Sequence, residues 1–233
     1  MFLTGNKAIN IEPCKEGFDI TIQSDNGTET FNTIFLINSA GLYSDEVAKI
    51  LNPDSLFRID PIKGEAAKFY KSSRTAISTN EMNIYPVPFG YLPNGDHLDV
   101  PFKEFRKLYN ECKVNKSVGA HLTSTLDIKG SDYFIGDTVT IGPAYSKPDG
   151  KEDYRPTRDE KYFLSMVKQF FPNLELKDIS LHQAGIRAKL KGYNDFVIEK
   201  DSKHSNFINL IEIDSPGLTS SLAIAKYVKQ MLN

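Results

Sequence analysis

Long apolar runs are missing from this 233-residue sequence. None approaches the roughly 20 residues that span a bilayer, so no transmembrane segment is expected. Cysteine is scarce: Cys14 and Cys112 are too few for a disulfide framework and have no metal-ligand spacing. Neither has neighbours that would activate a thiolate, so neither a metal centre nor a cysteine nucleophile is expected. Basic charge is not in excess either. The chain carries 28 Lys and Arg against 30 Asp and Glu, a net charge of −2, which argues against a nucleic-acid partner. The run from Lys107 to Lys116 is its one locally basic stretch. The opening residues, Met1 to Lys7, lack a charged leader followed by an apolar stretch, so no secretory signal is expected. These absences together point to a reducing, cytoplasmic setting.

What is present is ordinary globular material, 40% hydrophobic and 25% charged, long enough for one large domain or two interleaved ones. No internal repeat or low-complexity segment is visible. Phe18, Ile20 and Ile22 alternate with polar neighbours, the period of a half-buried strand, and Ser24-Asp25-Asn26-Gly27 suits a tight turn. Ile34-Phe35-Leu36-Ile37 is continuously apolar and predicts a strand covered on both faces. It runs into Asn38-Ser39-Ala40-Gly41 and a helix with Ser44 as N-cap. Small residues between a buried strand and a helix let backbone approach a nucleotide closely, although most such turns simply connect elements.

Between residues 57 and 179 short strands are expected at 58–62, 67–70, 82–87, 118–125 and 138–141. The segment 88–117 breaks that pattern, with a short helix from Lys103 to Cys112. Thr157-Arg158-Asp159-Glu160 fits a capping box. Phe163, Met166, Val167 and Phe170 then recur at helical spacing until Pro172. Phe207–Ile213 reads as an apolar strand. Asp214-Ser215-Pro216-Gly217-Leu218-Thr219 leads into a last helix reaching Met231, with Ala223, Ile224, Tyr227, Val228 and Met231 as its apolar stripe. A helix start preceded by small residues offers amides and a positive dipole end to a ligand.

Several of these segments, in order, resemble one family. Ile37-Asn38-Ser39-Ala40-Gly41-Leu42-Tyr43-Ser44-Asp45 is similar to the strand-turn-helix of the glycine and D-amino-acid oxidase superfamily of FAD-dependent oxidoreductases. Pro61-Ile62-Lys63-Gly64-Glu65, Ile84-Tyr85-Pro86-Val87-Pro88 and Gly119-Ala120-His121-Leu122-Thr123 narrow the likeness to its L-2-hydroxyglutarate dehydrogenase-like branch. So do Ile141-Gly142-Pro143, Ala184-Gly185-Ile186-Arg187-Ala188 and the run Ile213 to Ser221. The departures are informative. The family opens with a Gly-x-Gly-x-x-Gly turn that holds the FAD pyrophosphate, and no such spacing precedes Gly41. Lys63 stands where the branch usually has Arg, and Glu212 where it usually has a Gly close to the flavin. These points suggest a truncated or split gene product.

The resemblance implies an α/β fold: a partial, Rossmann-like FAD-binding portion from residues 1–55 and 188–233, and an antiparallel-sheet α+β substrate domain at 56–187. It implies oxidation of a small 2-hydroxy acid, with L-2-hydroxyglutarate the leading candidate, or of an amino acid. Arg187 would clamp the substrate carboxylate through its planar fork, the alternative being a strand-end Arg paired with an acid. His121 would take the hydroxyl proton, the alternative being a structural histidine. His182 stands near the Arg187 segment; His97 and His204 are expected to be solvated. Lys63 and Tyr85 would line the substrate cavity, Lys63 adding a charge for a dicarboxylate, or else are a surface lysine and a core tyrosine. Ala40, Gly41, Ser215, Pro216, Gly217, Leu218 and Thr219 would contact FAD, which this chain alone is expected to hold weakly or not at all. A separate N-terminal polypeptide or self-association would complete it. The rival expectation is an inactive remnant with a structural or partner-binding role.

Overall fold

The computed structural model describes residues 2–86, 89–92, 97–117 and 119–232. In chain order the strands are β1 (Lys7–Cys14), β2 (Gly17–Ser24), β3 (Gly27–Thr33), β4 (Leu36–Asn38), β5 (Ile62–Tyr70), β6 (Phe89–Tyr91) and β7 (His97–Leu98). They continue with β8 (Asn115–Ser117), β9 (His121–Lys129), β10 (Asp132–Ser146), β11 (Ser180–Arg187), β12 (Val197–Lys200) and β13 (Phe207–Ile211). The helices are α1 (Ser44–Leu51), α2 (Phe102–Asn110), α3 (Glu160–Val167) and α4 (Gly217–Met231). The chain divides into two compact units, Met1–Pro61 with Ala188–Asn233, and Ile62–Arg187.

The first unit carries an antiparallel meander, β1-β2-β3, and a mixed sheet in the order β12-β13-β4, in which β13 and β4 run parallel. Alternation along β1 and β2 buries Ile11 and Phe18 against Leu51 and Phe207. Polar side chains fasten the rest. Asp45 accepts from the Ile59 amide at 2.9 Å, and Asn52 donates to Asp201 at 3.0 Å. Asn38 and Asn209, partners on β4 and β13, are joined at 2.8 Å. Residues 56–61 belong with this unit, and Ile59 is bridged to Leu190.

Two expectations fail here. The apolar run at 34–37 is not covered on both faces: only Leu36–Asn38 forms strand, β4 lies at the sheet edge, and Ile37 is 41% exposed. Ser44 is the first helical residue rather than the cap. A 3₁₀ turn at Gly41–Tyr43 precedes α1 and puts Tyr43 at the N-cap, without a capping side chain.

The second unit is built on a four-stranded antiparallel sheet in the order β11-β5-β10-β9, with a small β7-β6-β8 sheet beside it in sequence. Period-2 alternation puts Ala67 and Phe69 of β5, Leu122 of β9, and Val139 and Ile141 of β10 on one face, against Phe163 and Val167 of α3. The strands run longer than their apolar cores suggested: β5 begins at Ile62, not Ala67, and β10 spans Asp132–Ser146. Near 84 only an isolated bridge forms, Ile84 to Leu122. The expected strand end at Val87, strand start at Val118, residue Pro88 and the side chain of His97 lie outside the described residues.

The cap of α3 also differs from expectation. Asp159, not Thr157, accepts from the amide of Tyr162, at 2.9 Å. Thr157 is claimed elsewhere. Its amide and hydroxyl both donate to the buried carboxylate of Glu65, whose need for donors outweighs the cap.

Candidate active site

Strand register decides which candidate residues share a face. Arg187 pairs with Ile62, Gly185 with Gly64, Tyr145 with Gly64, and His121 with Gly142. Their neighbours Ala67, Leu122, Ile141 and Ala144 point into the core, so Arg187, Tyr145 and His121 stand on the opposite face of the β11-β5-β10-β9 sheet. Gly64 and Gly185 lie between them, and a Cβ added at Gly185 would meet nothing within 4 Å. The floor of this face is therefore low, flanked by a guanidinium on one side and an imidazole on the other. β9 and β11 are three strand spacings apart, roughly 14 Å.

Arg187 donates from Nη1 to the Tyr145 hydroxyl at 3.1 Å, and its guanidinium lies 5.5 Å from the centre of the Tyr145 ring. Tyr145 follows the Gly142-Pro143 motif by two residues; simple alternation would place it with Ile141 in the core, and only the register shift between Ile141 and Ala144 turns it onto this face.

The His121 ring is held from two sides. Nδ1 lies 3.0 Å from the carbonyl oxygen of Gly119, and a carbonyl only accepts, so Nδ1 carries the proton and Nε2 is left as an acceptor. Tyr85 stacks on the imidazole with ring centres 4.6 Å apart and 25° between planes. Tyr85 is placed there by reciprocal backbone bonds of 2.9 Å between Ile84 and Leu122. His182 is exposed on β11. His204 is half-buried rather than solvated, edge-on to Phe18 at 6.0 Å.

Lys63 is on the face opposite Arg187 and His121. It is fully buried on the core side, with Nζ 3.3 Å from Asp153 and 2.8 Å from the carbonyl of Arg155. The expectation that it supplies a second charge for a dicarboxylate is replaced by a fastening role. Glu65, two residues on and on the same face, gathers Ser146 Oγ at 3.0 Å, the Arg158 amide at 3.0 Å and both donors of Thr157. Burial alone would raise its carboxyl, but these donors prevail and hold it below the ordinary value. Asp153 is held well below the ordinary value as well, chiefly by Arg155 and the Asp149 amide, with Lys63 adding to them.

The cofactor candidates belong to the first unit. Gly41 and Gly217 line one groove of about 520 Å³ with Ile37, Ser39, Ile213 and Ile224. Gly41 has φ +55° and opens onto empty space, a conformation in which a side chain is strained. Ser215, Pro216, Leu218 and Thr219 form the exposed rim at the start of α4, and Ala40 takes its amide to Asn38 Oδ1 at 3.3 Å. This small-residue rim fits the close approach of a flat ring system. It does not supply the set of amides and cations that a pyrophosphate needs, because the groove is mostly apolar. Glu212, at the end of β13, has φ +58° and is buried. Its carboxylate turns to the Lys189 ammonium and the Leu190 amide, and burial raises its pKa above the ordinary value. Among the described residues no group of three or more His, Cys, Asp or Glu side chains is placed to hold a metal, and no helix is long and apolar enough to cross a membrane.

A mixed sheet with a small-residue turn, followed by an inserted antiparallel sheet carrying Arg and His on one face, is a flavoprotein oxidoreductase arrangement. Residues 2–231 match the family model described as FAD dependent oxidoreductase (DAO), and the chain belongs to that family. It is 30% identical over 242 residues to L-2-hydroxyglutarate dehydrogenase of Indibacter alkaliphilus, with 94% of this chain and 55% of that protein covered. To the mitochondrial L-2-hydroxyglutarate dehydrogenase of Caenorhabditis elegans it is 29% identical over 237 residues, covering 91% of this chain and 50% of the relative. Among solved structures, dithionite-reduced L-alpha-glycerophosphate oxidase of Mycoplasma pneumoniae with FAD bound superposes with a TM-score of 0.65. That match has 19% identity and covers 98% of this chain and 50% of the other, a likeness of fold. The chain spans about half the length of these relatives.

Proposed function

We propose that this chain contributes the substrate face of an FAD-dependent oxidoreductase acting on a small 2-hydroxy acid, with L-2-hydroxyglutarate as the first substrate to try. The observation that carries the reading is the one-face arrangement of Arg187 and His121 across a floor of Gly64 and Gly185. Arg187 would hold the carboxylate through its fork, steadied by the Tyr145 hydroxyl. His121, with Nδ1 committed to Gly119, would accept the hydroxyl proton at Nε2. FAD, when bound, supplies the hydride acceptor. Ala40, Gly41 and the rim from Ser215 to Thr219 would approach its ring edge, while the pyrophosphate cradle would come from residues other than these. The exposed edge at β4 supports completion by a further polypeptide segment over the remnant alternative.

The test is steady-state kinetics on 2-hydroxy acids with an artificial electron acceptor, in an assembly where flavin has been restored. Charge-assisted hydrogen bonds contribute roughly 1.5–3 kcal/mol each. Arg187→Ala is therefore expected to lower kcat/KM at least about tenfold, with Arg187→Lys recovering part of the loss. Wild-type kcat/KM in Arg187→Ala would place the clamp elsewhere.

A further inference from the structure

Residues 58–60 and 189–191, all in the first unit, pair as a short antiparallel ribbon. The Asp60 amide donates to the Lys189 carbonyl at 2.7 Å, and the Lys191 amide to the Arg58 carbonyl at 3.0 Å. Those bonds leave Ile59 and Leu190, the bridged pair between them, with their amides turned outward, one on each edge. Ile59 and Leu190 are 6% and 2% exposed, and burial leaves each amide in need of a protein acceptor. Each meets a carboxylate. Asp45 accepts from Ile59 at 2.9 Å, and Glu212 accepts from Leu190 while pairing with the Lys189 ammonium. The two carboxylates come from the two turns proposed to approach the flavin. Asp45 stands in the first turn of α1, just after the 3₁₀ turn at Gly41–Tyr43. Glu212 follows β13, and its carbonyl accepts from the Asp214 amide at 2.8 Å where the chain turns towards Gly217. Its φ of +58° lies in the region that favours glycine, and such a conformation persists only where its surroundings hold it.

We infer that Asp45 and Glu212 are positioning residues that fix the register of Arg187 from these two turns. Three residues along each segment from Ile59 and Leu190, Ile62 pairs with Arg187 in the same register. A slip of one residue would turn the Arg187 side chain to the other face of its sheet. With both outward amides pinned, neither segment slides without stranding a buried donor and a buried carboxylate together. The inference rests on the oxidoreductase reading and adds to it two residues that act through Arg187.

The experiment pairs amide hydrogen exchange in the full chain with kinetics on 2-hydroxy acids in the flavin-restored assembly. Glu212→Gly is the diagnostic variant, because glycine adopts φ +58° without strain and only the carboxylate is lost. Its Leu190 amide is expected to exchange at least about tenfold faster, while Ile59, Asp60 and Lys191 keep their protection. Asp45→Ala is expected to free the Ile59 amide in the same way. KM for the 2-hydroxy acid is expected to rise about fivefold in Glu212→Gly, with kcat changed less than about twofold. Glu212→Gln keeps an acceptor for the amide and is expected to restore both Leu190 protection and most of the KM. Wild-type exchange at the amide that each variant should free overturns the inference. So does a fall in kcat at unchanged KM, or a loss of protection along the whole ribbon in Glu212→Gly, since either marks plain support of the fold. A wild-type assembly that oxidises no 2-hydroxy acid overturns the oxidoreductase reading and the inference with it. An active assembly whose Glu212→Gly variant keeps the wild-type KM overturns the inference alone.

Discussion

In the second unit the β11-β5-β10-β9 sheet seals one face under Phe163 and Val167 of α3 and carries Arg187, Tyr145 and His121 on the other. In the first unit the β12-β13-β4 sheet ends on a strand whose Ile37 is 41% exposed, while Leu218 and Leu222 of α4 are 92% and 79% exposed. The contrast extends to the edges of the first unit itself. The edge strand β3 carries Thr28, Glu29, Thr30 and Asn32, the polar composition that discourages further pairing. The edge strand β4 is apolar, and parallel strands are ordinarily buried on both faces. A sealed sheet holds its charged residues for support. An unsealed one leaves apolar side chains exposed.

The largest effect is expected where the sealed face is broken. Glu65→Ala strands two amides, a threonine hydroxyl and a serine hydroxyl in the interior, and is expected to cost about 3 kcal/mol, measured by urea unfolding. If Glu65→Ala unfolds at the wild-type midpoint, the fastening of the 153–158 segment is not what supports this unit. The unsealed face should respond in the opposite sense. Ile37→Lys and Leu222→Lys, both on exposed side chains, are expected to reduce self-association in sedimentation velocity with less than about 0.5 kcal/mol change in stability. Unchanged sedimentation would show that this apolar surface attracts nothing.

Acid titration sharpens the same contrast. The Glu65 carboxyl titrates below its ordinary value of 4.5 in the folded chain, so the stabilisation is present above 4.5 and is lost as pH falls through the folded pKa. Glu212 has the opposite sign. Its raised pKa favours the folded chain at low pH, and that contribution fades as pH rises above 4.5 through the folded pKa. Glu65→Gln is therefore expected to flatten the acid limb of stability against pH, and Glu212→Gln to leave that limb steep. The smallest effect belongs to Tyr85. Tyr85→Phe keeps the ring stacked on His121 and should change kcat less than about threefold, while Tyr85→Ala should lower it about tenfold with little change in KM.

Much of this was legible in the sequence because alternation and helical spacing are local. Phe18 and Ile20 on β2, and Gly217 to Met231 as α4, follow from pattern alone. The family was legible for a different reason, since short motifs around Ala40, His121 and Arg187 stand in a fixed order. What was not legible depends on distant partners. Thr157 has the form of a cap, and only the folded chain shows that Glu65, 92 residues away in sequence, takes its donors. Lys63 resembles a substrate cation until β5 is extended back to Ile62. Period 2 then places it with Glu65, Ala67 and Phe69 on the core face. Ile34 to Ile37 look buried by composition, yet β4 lies at an edge, a matter of sheet order that four residues cannot encode.

The central claim is that Arg187 and His121 work from one face of one sheet, and histidine NMR tests it most directly. With the four histidines labelled and His121 assigned through His121→Gln, L-2-hydroxyglutarate is added to the flavin-restored assembly. The account predicts that the His121 ring signals move, that His182 and His204 stay still, and that Arg187→Ala abolishes the movement. Movement of His182 or His204 without His121, or a His121 response that survives Arg187→Ala, would contradict it.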